Sequence, residues 1–425
     1  MDERIITSLA DTDLYKITMQ QAALHHYPSL QTTWLYHCRT PGVDLRPILP
    51  EIREQIADVG ALQYTAEELR FLSGLSYIKP DFIDFLRIFR MNPDAVEIRE
   101  TDQKVDIRVH GTWCHRGKWE IYILSIISEI YNRRTYPNLS YEEGRRRLRE
   151  KVAMVKEFLR CNPTLVFRLI EFGTRRRFSK AWQEEVLGFL MESLPECLVG
   201  TSNVDMARRY GLRPFGTFAH EWLQAHQATG VRLVESQKLA LDVWAREYRG
   251  ELGIALTDVI NMDAFLRDFD RYFAKLFDGA RHDSGDPNEW TEKLLAHYRK
   301  LHIDPRTKYA VYSDSLDFPR ALDLCARFEP QIMTSFGIGT NLTNDLGHTA
   351  LNHVVKMIEA DGQPVAKISD APGKRICEDQ VFFDYLMHVF EVSAKEVPAP
   401  TPEVGRPIGA GLNQSPSAAL RALSS

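Results

Sequence analysis

Leu165-Val-Phe-Arg-Leu-Ile170 runs directly into Glu171-Phe-Gly-Thr-Arg175, an apolar stretch that ends in small and charged residues. The same texture returns three times downstream. Gly253-Ile-Ala-Leu256 leads into Thr257-Asp258, and Tyr309-Ala-Val-Tyr312 leads into Ser313-Asp-Ser315. Gln331-Ile-Met333 leads into Thr334-Ser-Phe-Gly-Ile-Gly339. Short apolar runs of this kind suit strands covered on both faces, and helix-like segments lie between them. Strand, polar loop and helix in alternation predict a parallel α/β barrel, with chemistry gathered at the C-terminal strand ends. No internal sequence repeat accompanies the pattern.

Working outward, the N-terminal part has a different grain. Residues 11–25 read as a helix entered through Asp11-Thr-Asp13, where the acids could cap it. Thr33-Trp-Leu-Tyr-His-Cys-Arg39 has strand character. Val96-Glu-Ile-Arg99 and Lys104-Val-Asp-Ile-Arg-Val109 alternate as paired strands with one wet face. Helical pattern dominates Trp119–Tyr131 and Tyr141–Arg160, and the last 30 or so residues, rich in Pro, Ala, Gly and Ser, read as a disordered tail. A chain of 425 residues exceeds what one core serves, so a large and a smaller domain are expected.

Composition narrows the function. A net charge of −5 gives no footprint for a polyanionic partner, so nucleic-acid binding is not expected. Met1-Asp-Glu-Arg4 lacks a signal-peptide pattern and no apolar run reaches 18 residues, so a cytoplasmic, non-membrane protein is expected. Cys38, Cys114, Cys161, Cys197, Cys325 and Cys377 show no C-x-x-C spacing and read as reduced core thiols.

The polar loops carry the candidate chemistry. Arg175-Arg-Arg177 offers guanidinium forks for a carboxylate or phosphate, Arg175 being best placed at its strand end. Gly200-Thr-Ser-Asn203 can present neutral hydrogen-bond donors or form a plain turn. His220 in Gly216-Thr-Phe-Ala-His220 can act as nucleophile or base. Arg281-His-Asp-Ser-Gly-Asp286 could hold a metal, bind ribose hydroxyls or cap a helix. Ser335-Phe-Gly-Ile-Gly-Thr-Asn341 could bring backbone N–H groups to a phosphate, although it matches neither the dinucleotide fingerprint nor the Walker pattern. Gly144-Arg-Arg-Arg-Leu-Arg149, flanked by Glu142, Glu143 and Glu150, reads as a solvated helix face.

Six segments in order resemble the nicotinate phosphoribosyltransferase family: Thr12-Asp-Leu-Tyr-Lys-Ile-Thr-Met19, Glu171-Phe-Gly-Thr-Arg175, Gly200-Thr-Ser-Asn-Val204, Gly216-Thr-Phe-Ala-His220, Asp283-Ser-Gly-Asp286 and Gly337-Ile-Gly-Thr-Asn341. The resemblance spans residues near 12 to near 375 and implies the type II phosphoribosyltransferase fold, an irregular TIM-like α/β barrel packed on an α/β N-terminal domain. It divides the chain into an N-terminal domain over 1–130 completed by a returning segment over 355–395, a catalytic barrel over 131–354, and the tail over 396–425. It further implies a homodimer with shared active sites and transfer of phosphoribose from phosphoribosyl pyrophosphate to nicotinate in NAD salvage. Mg2+ would accompany that substrate and ATP, and ATP would be hydrolysed through a phosphohistidine at His220; the metal ligands stay open.

By the same resemblance Arg175 meets the nicotinate carboxylate and Phe172 stacks on the ring. Tyr15 covers the ring from the partner subunit. Asp258 orients His220, and Asp283 takes the ribose hydroxyls with Arg281 beside it. Arg39 reaches pyrophosphate, while Gly337, Gly339 and Thr340 cradle the 5′-phosphate. Ser202 stands where nicotinamide-using sister enzymes carry an aspartate, and a serine can donate to a carboxylate that an aspartate would repel. The alternatives are a nicotinamide or quinolinate phosphoribosyltransferase, or a non-catalytic nucleotide-binding relative.

Overall fold

The computed structural model describes residues 4–101, 105–371, 374–375 and 377–392. The expected tail over 396–425 lies outside them. In chain order the strands are β1 (Gln31–Cys38), β2 (Val96–Glu100), β3 (Val105–Thr112), β4 (Leu169–Glu171), β5 (Leu198–Thr201), β6 (Ile254–Leu256), β7 (Gly279–His282), β8 (Tyr309–Tyr312), β9 (Met333–Ile338), β10 (His353–Ala360) and β11 (Gln363–Pro364). They form two sheets, β11-β10-β1-β3-β2 and β5-β4-β9-β8-β7-β6.

The first sheet is antiparallel throughout. Its centre is β1, where Thr32, Trp34 and Tyr36 alternate inward, the period of a strand with one covered face. The late strand β10 returns to pair with β1 from Thr32↔Ala360 to Cys38↔His353, so the first sheet draws on both ends of the described chain.

The second sheet is parallel throughout. Its six strands curl into a barrel, two short of a regular (β/α)8 ring. Strands β5 and β6 do not pair; an irregular segment spans the gap between them. Pro214 bridges Thr201, Phe215 N–H donates to Thr201 O (2.8 Å), and Thr217 Oγ1 donates to Ile254 O (2.7 Å). Proline is tolerated at that seam because no ladder there needs its missing N–H.

The helix Trp119–Thr135 lies between the two sheets and is apolar nearly all round, as a helix buried on every side must be. One polar edge breaks that rule. Ser125 Oγ donates to Thr174 O (2.9 Å), Ser128 Oγ to Arg177 O (2.9 Å) and Asn132 Nδ2 to Phe178 O (3.1 Å). These three residues follow helical spacing, so one helix face clamps the loop that carries Arg175.

Several expectations shift. The run Leu165–Ile170 enters the ladder only at Leu169, and Val166 is exposed. The strand expected at Gln331–Met333 starts at Met333 and continues through Ile338, so Gly337 lies within a strand. Asp13 occupies the N-cap position of the helix Leu14–His26 without capping it through its side chain. None of the six cysteines is in a disulfide, yet Cys161 is exposed and Cys38 and Cys377 are half-buried, so only Cys114, Cys197 and Cys325 are core thiols. The arginines of 145–147 lie on the helix Glu142–Cys161 and pair with acids such as Glu143, Glu185 and Asp345. Among the described residues no helix is long and apolar enough to cross a membrane.

Candidate active site

Two cavities adjoin at the C-terminal ends of the barrel strands, and they share Phe172, Arg175 and Arg281. The first, of about 750 Å³, runs along the barrel interior, with Tyr15, Phe172, Arg175 and Ser202 among its walls. The second, of about 320 Å³, lies over the barrel mouth beside Arg39, His220, Asp283, Gly337, Gly339 and Thr340. Asp258 stands behind His220, two residues past β6. Every site residue expected from sequence therefore falls in one place.

Arg175 sits in a short 3-10 turn just after β4, partly exposed to both cavities. Its Nε lies 3.5 Å from Asp13 Oδ2, its Nη1 lies 3.8 Å from Glu120 Oε1, and its guanidinium stands 5.8 Å from the Tyr15 ring centroid. Those distances are long for hydrogen bonds, which leaves fork donors available. The other two arginines of the run part company. Arg176 turns into the second cavity, while Arg177 is fully buried on Asp11 and Glu129.

Gly337 and Gly339 are needed for room. A Cβ on Gly337 would fall 2.3 Å from the Phe172 ring, and one on Gly339 would fall 2.9 Å from Phe172 O. The glycine pair thus lets Phe172 lie flat against β9. Gly337 serves this packing from inside the strand, and the turn into Thr340–Thr343 begins only at Gly339.

His220 opens the helix His220–Ala225 and is buried. Its Nε2 lies 2.9 Å from Asp258 Oδ1 and 3.7 Å from Asp283 Oδ2. The closer contact fixes a proton on Nε2 and leaves Nδ1 as the lone-pair nitrogen. Burial, reinforced by Lys367, brings the imidazole pKa down to about 4, so the ring is neutral at neutral pH. Burial opposes ionisation of Asp258, but Lys367 (2.7 Å from Oδ2) and His220 outweigh it and hold the carboxyl well below its ordinary range. Ser284 Oγ also donates to Asp258 Oδ2 (2.7 Å). Asp283 shows the same contest: burial resists, Arg281, His220 and Lys367 prevail, and its pKa falls to about 2. Asp286, by contrast, caps the helix Pro287–Lys300 through the N–H groups of Asn288 and Glu289.

Two of the expected site residues make contacts within the chain that their sequence neighbours do not announce. Tyr15 lines the cavity of its own chain, because the strand-like bridge Asp13↔Asn203 and the Leu14 N–H to Ser202 O bond (2.8 Å) pin the start of its helix to β5. Ser202 Oγ donates to Asp13 Oδ1 (2.7 Å), so its proton is already committed to a neighbouring acid. Burial raises the Asp13 pKa against the pull of Arg175.

Sequence reasoning passed over Asp13 and most of the cations. Arg176, Lys356, Lys367 and Lys374 join Arg39, Arg175 and Arg281 around the second cavity. A usable trace existed: Lys356 interrupts Val354-Val-Lys-Met-Ile358 and Lys367 interrupts Val365-Ala-Lys-Ile368. A lysine inside an apolar run is costly unless it meets an anion. Burial brings Lys356 down to about 8, with Glu120 opposing the shift, and Arg176 down to about 10. Such a basin suits a polyanion with several phosphate groups.

Comparison with known proteins agrees with this geometry. The model of the nicotinate phosphoribosyltransferase (NAPRTase) family matches residues 167–394, and that of the family's N-terminal domain matches residues 10–128. A nicotinate phosphoribosyltransferase of Bordetella pertussis is 53% identical over 391 residues, covering 91% of this chain and 96% of the relative. One from Burkholderia mallei is 50% identical over 395 residues, covering 92% and 98%. Among solved structures, a nicotinate phosphoribosyltransferase from Vibrio cholerae superposes with a TM-score of 0.89 at 38% identity, covering 92% of this chain and 95% of that one. One from Porphyromonas gingivalis gives 0.86 at 34% identity, covering 91% and 100%. A barrel mouth ringed by cations and an aromatic-walled cavity beside it accord with matches over both parts of the chain: the protein belongs to the nicotinate phosphoribosyltransferase family.

Proposed function

We propose that the protein transfers phosphoribose from phosphoribosyl pyrophosphate to the ring nitrogen of nicotinate, giving nicotinate mononucleotide and pyrophosphate in NAD salvage, and that ATP hydrolysis through His220 drives it. The observation that carries this reading is the position of Arg175, at the junction of a cavity walled by Tyr15 and Phe172 and a basin ringed by cations. A flat aromatic acid fits the first, with its carboxylate on the guanidinium. A pyrophosphorylated sugar fits the second. The two reactants then meet in line at their shared wall, and that fixed approach supplies much of the rate.

The roles divide by geometry. Arg175 pairs with the carboxylate, and Phe172 and Tyr15 hold the ring. Asp283, ionised and open to the basin, takes the ribose hydroxyls, with Arg281 next to it. Thr340 and the turn at Gly339 meet the 5′-phosphate. Arg39, Arg176 and Lys356 meet pyrophosphate, where positive charge favours the anion as it departs. Mg2+ prefers oxygen ligands and keeps few protein ones. The carboxylate of Asp283, which lines the basin and accepts from Ser313 Oγ (2.9 Å), fits that habit beside substrate phosphates, whereas the His220 and Asp258 atoms are already paired with each other. A bound Mg2+ would offset charge on the leaving group.

In the ATP-dependent step Nδ1 of His220 attacks the γ-phosphorus. An N–P bond forms as the β–γ P–O bond breaks and ADP leaves, and water later removes the phosphoryl group as inorganic phosphate. Asp258 stabilises the positive ring by the same logic that fixes a catalytic imidazole. The test is a panel of nicotinate, nicotinamide and quinolinate with phosphoribosyl pyrophosphate, with and without ATP, on wild type and His220→Ala. Turnover with nicotinate, stimulated by ATP in wild type and unstimulated in the variant, is expected. Binding without turnover would leave a non-catalytic relative, and stimulation of His220→Ala by ATP would remove the phosphohistidine.

A further inference from the structure

Beneath the shared wall of the two cavities runs a chain of buried charges that the reaction itself does not touch. Glu221 follows His220 on the same helix and is 6% exposed. Its Oε1 accepts from Trp113 Nε1 (3.0 Å), and its Oε2 meets Lys16 Nζ. Lys16 is 1% exposed and also reaches Glu120 Oε2 at 2.6 Å. Glu120 then faces Arg175 Nη1 at 3.8 Å and Lys356 Nζ at 3.9 Å through its other oxygen. One carboxylate is therefore shared by three cations, two of which face the substrate cavities. Charges so removed from water are weakly screened, and each such cation competes for the same partner.

We propose that Glu221, Lys16 and Glu120 form a relay that couples the state of His220 to the aim of Arg175; this rests on the reading of His220 as a phosphoryl acceptor. Phosphorylation places about two negative charges at His220. They draw Lys356 across the basin and away from Glu120, and they press on the neighbouring Glu221, whose hold on Lys16 fixes the far side of Glu120. Relieved of Lys356, Glu120 closes on Arg175, which in the unmodified protein is held only loosely. A guanidinium with a fixed orientation binds a carboxylate at a smaller ordering cost. ATP would then act on nicotinate binding through residues that touch neither ligand. Lys16 and Glu221 are positioning residues in this scheme.

The experiment uses the full-length protein at saturating phosphoribosyl pyrophosphate. Nicotinate KM and kcat are measured with and without ATP, and acid-labile phosphate on His220 is measured in parallel. Lys16→Met alone would strand two buried carboxylates, so the variant is Lys16→Met/Glu221→Gln, which removes one charge of each sign. Wild type is expected to show a nicotinate KM about fivefold or more lower with ATP. The double variant should carry the same phosphate label yet show a smaller KM difference with and without ATP, because nothing then fixes the far side of Glu120. An undiminished ATP effect on KM in a normally labelled double variant overturns the relay. Absence of label on wild type overturns the reading of His220 itself, a separate result. If the double variant does not fold, Glu221→Gln alone, which keeps an acceptor for Trp113, is read in the same way.

Discussion

Lys356 shows what a single residue contributes and how its environment sets its working range. It lies on β10 and lines the second cavity, where burial lowers its pKa to about 8. Its charge is present below that value and is lost as pH rises through it. The KM for phosphoribosyl pyrophosphate should therefore climb above about pH 8, and Lys356→Arg should move the climb to higher pH because a guanidinium stays protonated. A KM–pH profile of the two proteins checks this; coincident profiles would assign the limb to another group. At this scale the sequence was informative where chemistry clusters in one loop. Arg175 and His220 each close such a motif, and Asp283 opens one. Lys356 and Lys367 escaped because their use depends on β10 and its neighbour folding back over a barrel mouth laid down far earlier in the chain. Ser202 stood out as a position, but its partner Asp13 lies 189 residues away.

Elements follow the same division between local pattern and long-range packing. Tyr309–Tyr312 forms a strand over the very residues its apolar run marks. At β9 the pattern misleads, since Ser335 and Gly337 look like loop residues and lie within a strand, where a Cβ on Gly337 would meet the Phe172 ring. At β4 the opposite happens: Leu165–Arg168 has strand composition, yet the ladder begins only at Leu169, after Arg168 O has accepted from Phe336 N–H (2.8 Å). The seam between β5 and β6 had no sequence mark at all. Its tightness can be probed at Gly200, which has φ +156° and whose Cβ would fall 2.2 Å from Arg213 O. Backbone cannot yield as a side-chain tip can. Gly200→Ala is expected to cost about 2–3 kcal/mol in a denaturant titration, with the midpoint falling at unchanged slope. Stability equal to wild type would mean that the seam is loosely set.

On the scale of the whole molecule, Arg177 ties the parts together. It meets Asp11 from the N-terminal segment through two bonds (2.8 and 3.0 Å) and Glu129 of the central helix (2.7 Å), all out of solvent. Removing the cation would take the guanidinium from two buried acids, with Lys180 (3.4 Å) and Asn203 (2.7 Å) still beside Asp11, so Arg177→Met should lose about 3–5 kcal/mol. The pH dependence carries a sign. Although burial resists ionisation of Asp11, Arg177 and Lys180 prevail and depress its pKa. Its contribution is therefore complete above the ordinary carboxylate range and fades only as pH falls through the depressed value. The gap in stability between wild type and variant should be widest near neutrality and narrow in acid, where Asp11 takes up a proton; thermal melts at several pH values would show it, and a constant gap would contradict it. Three consecutive arginines thus stand at the wall between two cavities, within the second cavity and in an internal tie, a division that composition could not foretell. The seam has its own consequence for this architecture. The stretch that closes the ring at Pro214–Thr217 leads without a break into His220, whereas Arg175 and Asp283 hang directly from paired strands. His220, the proposed phosphoryl acceptor, is thus mounted on a stretch of wall joined to its neighbours by single hydrogen bonds, while Arg175 and Asp283 follow strands held in a ladder.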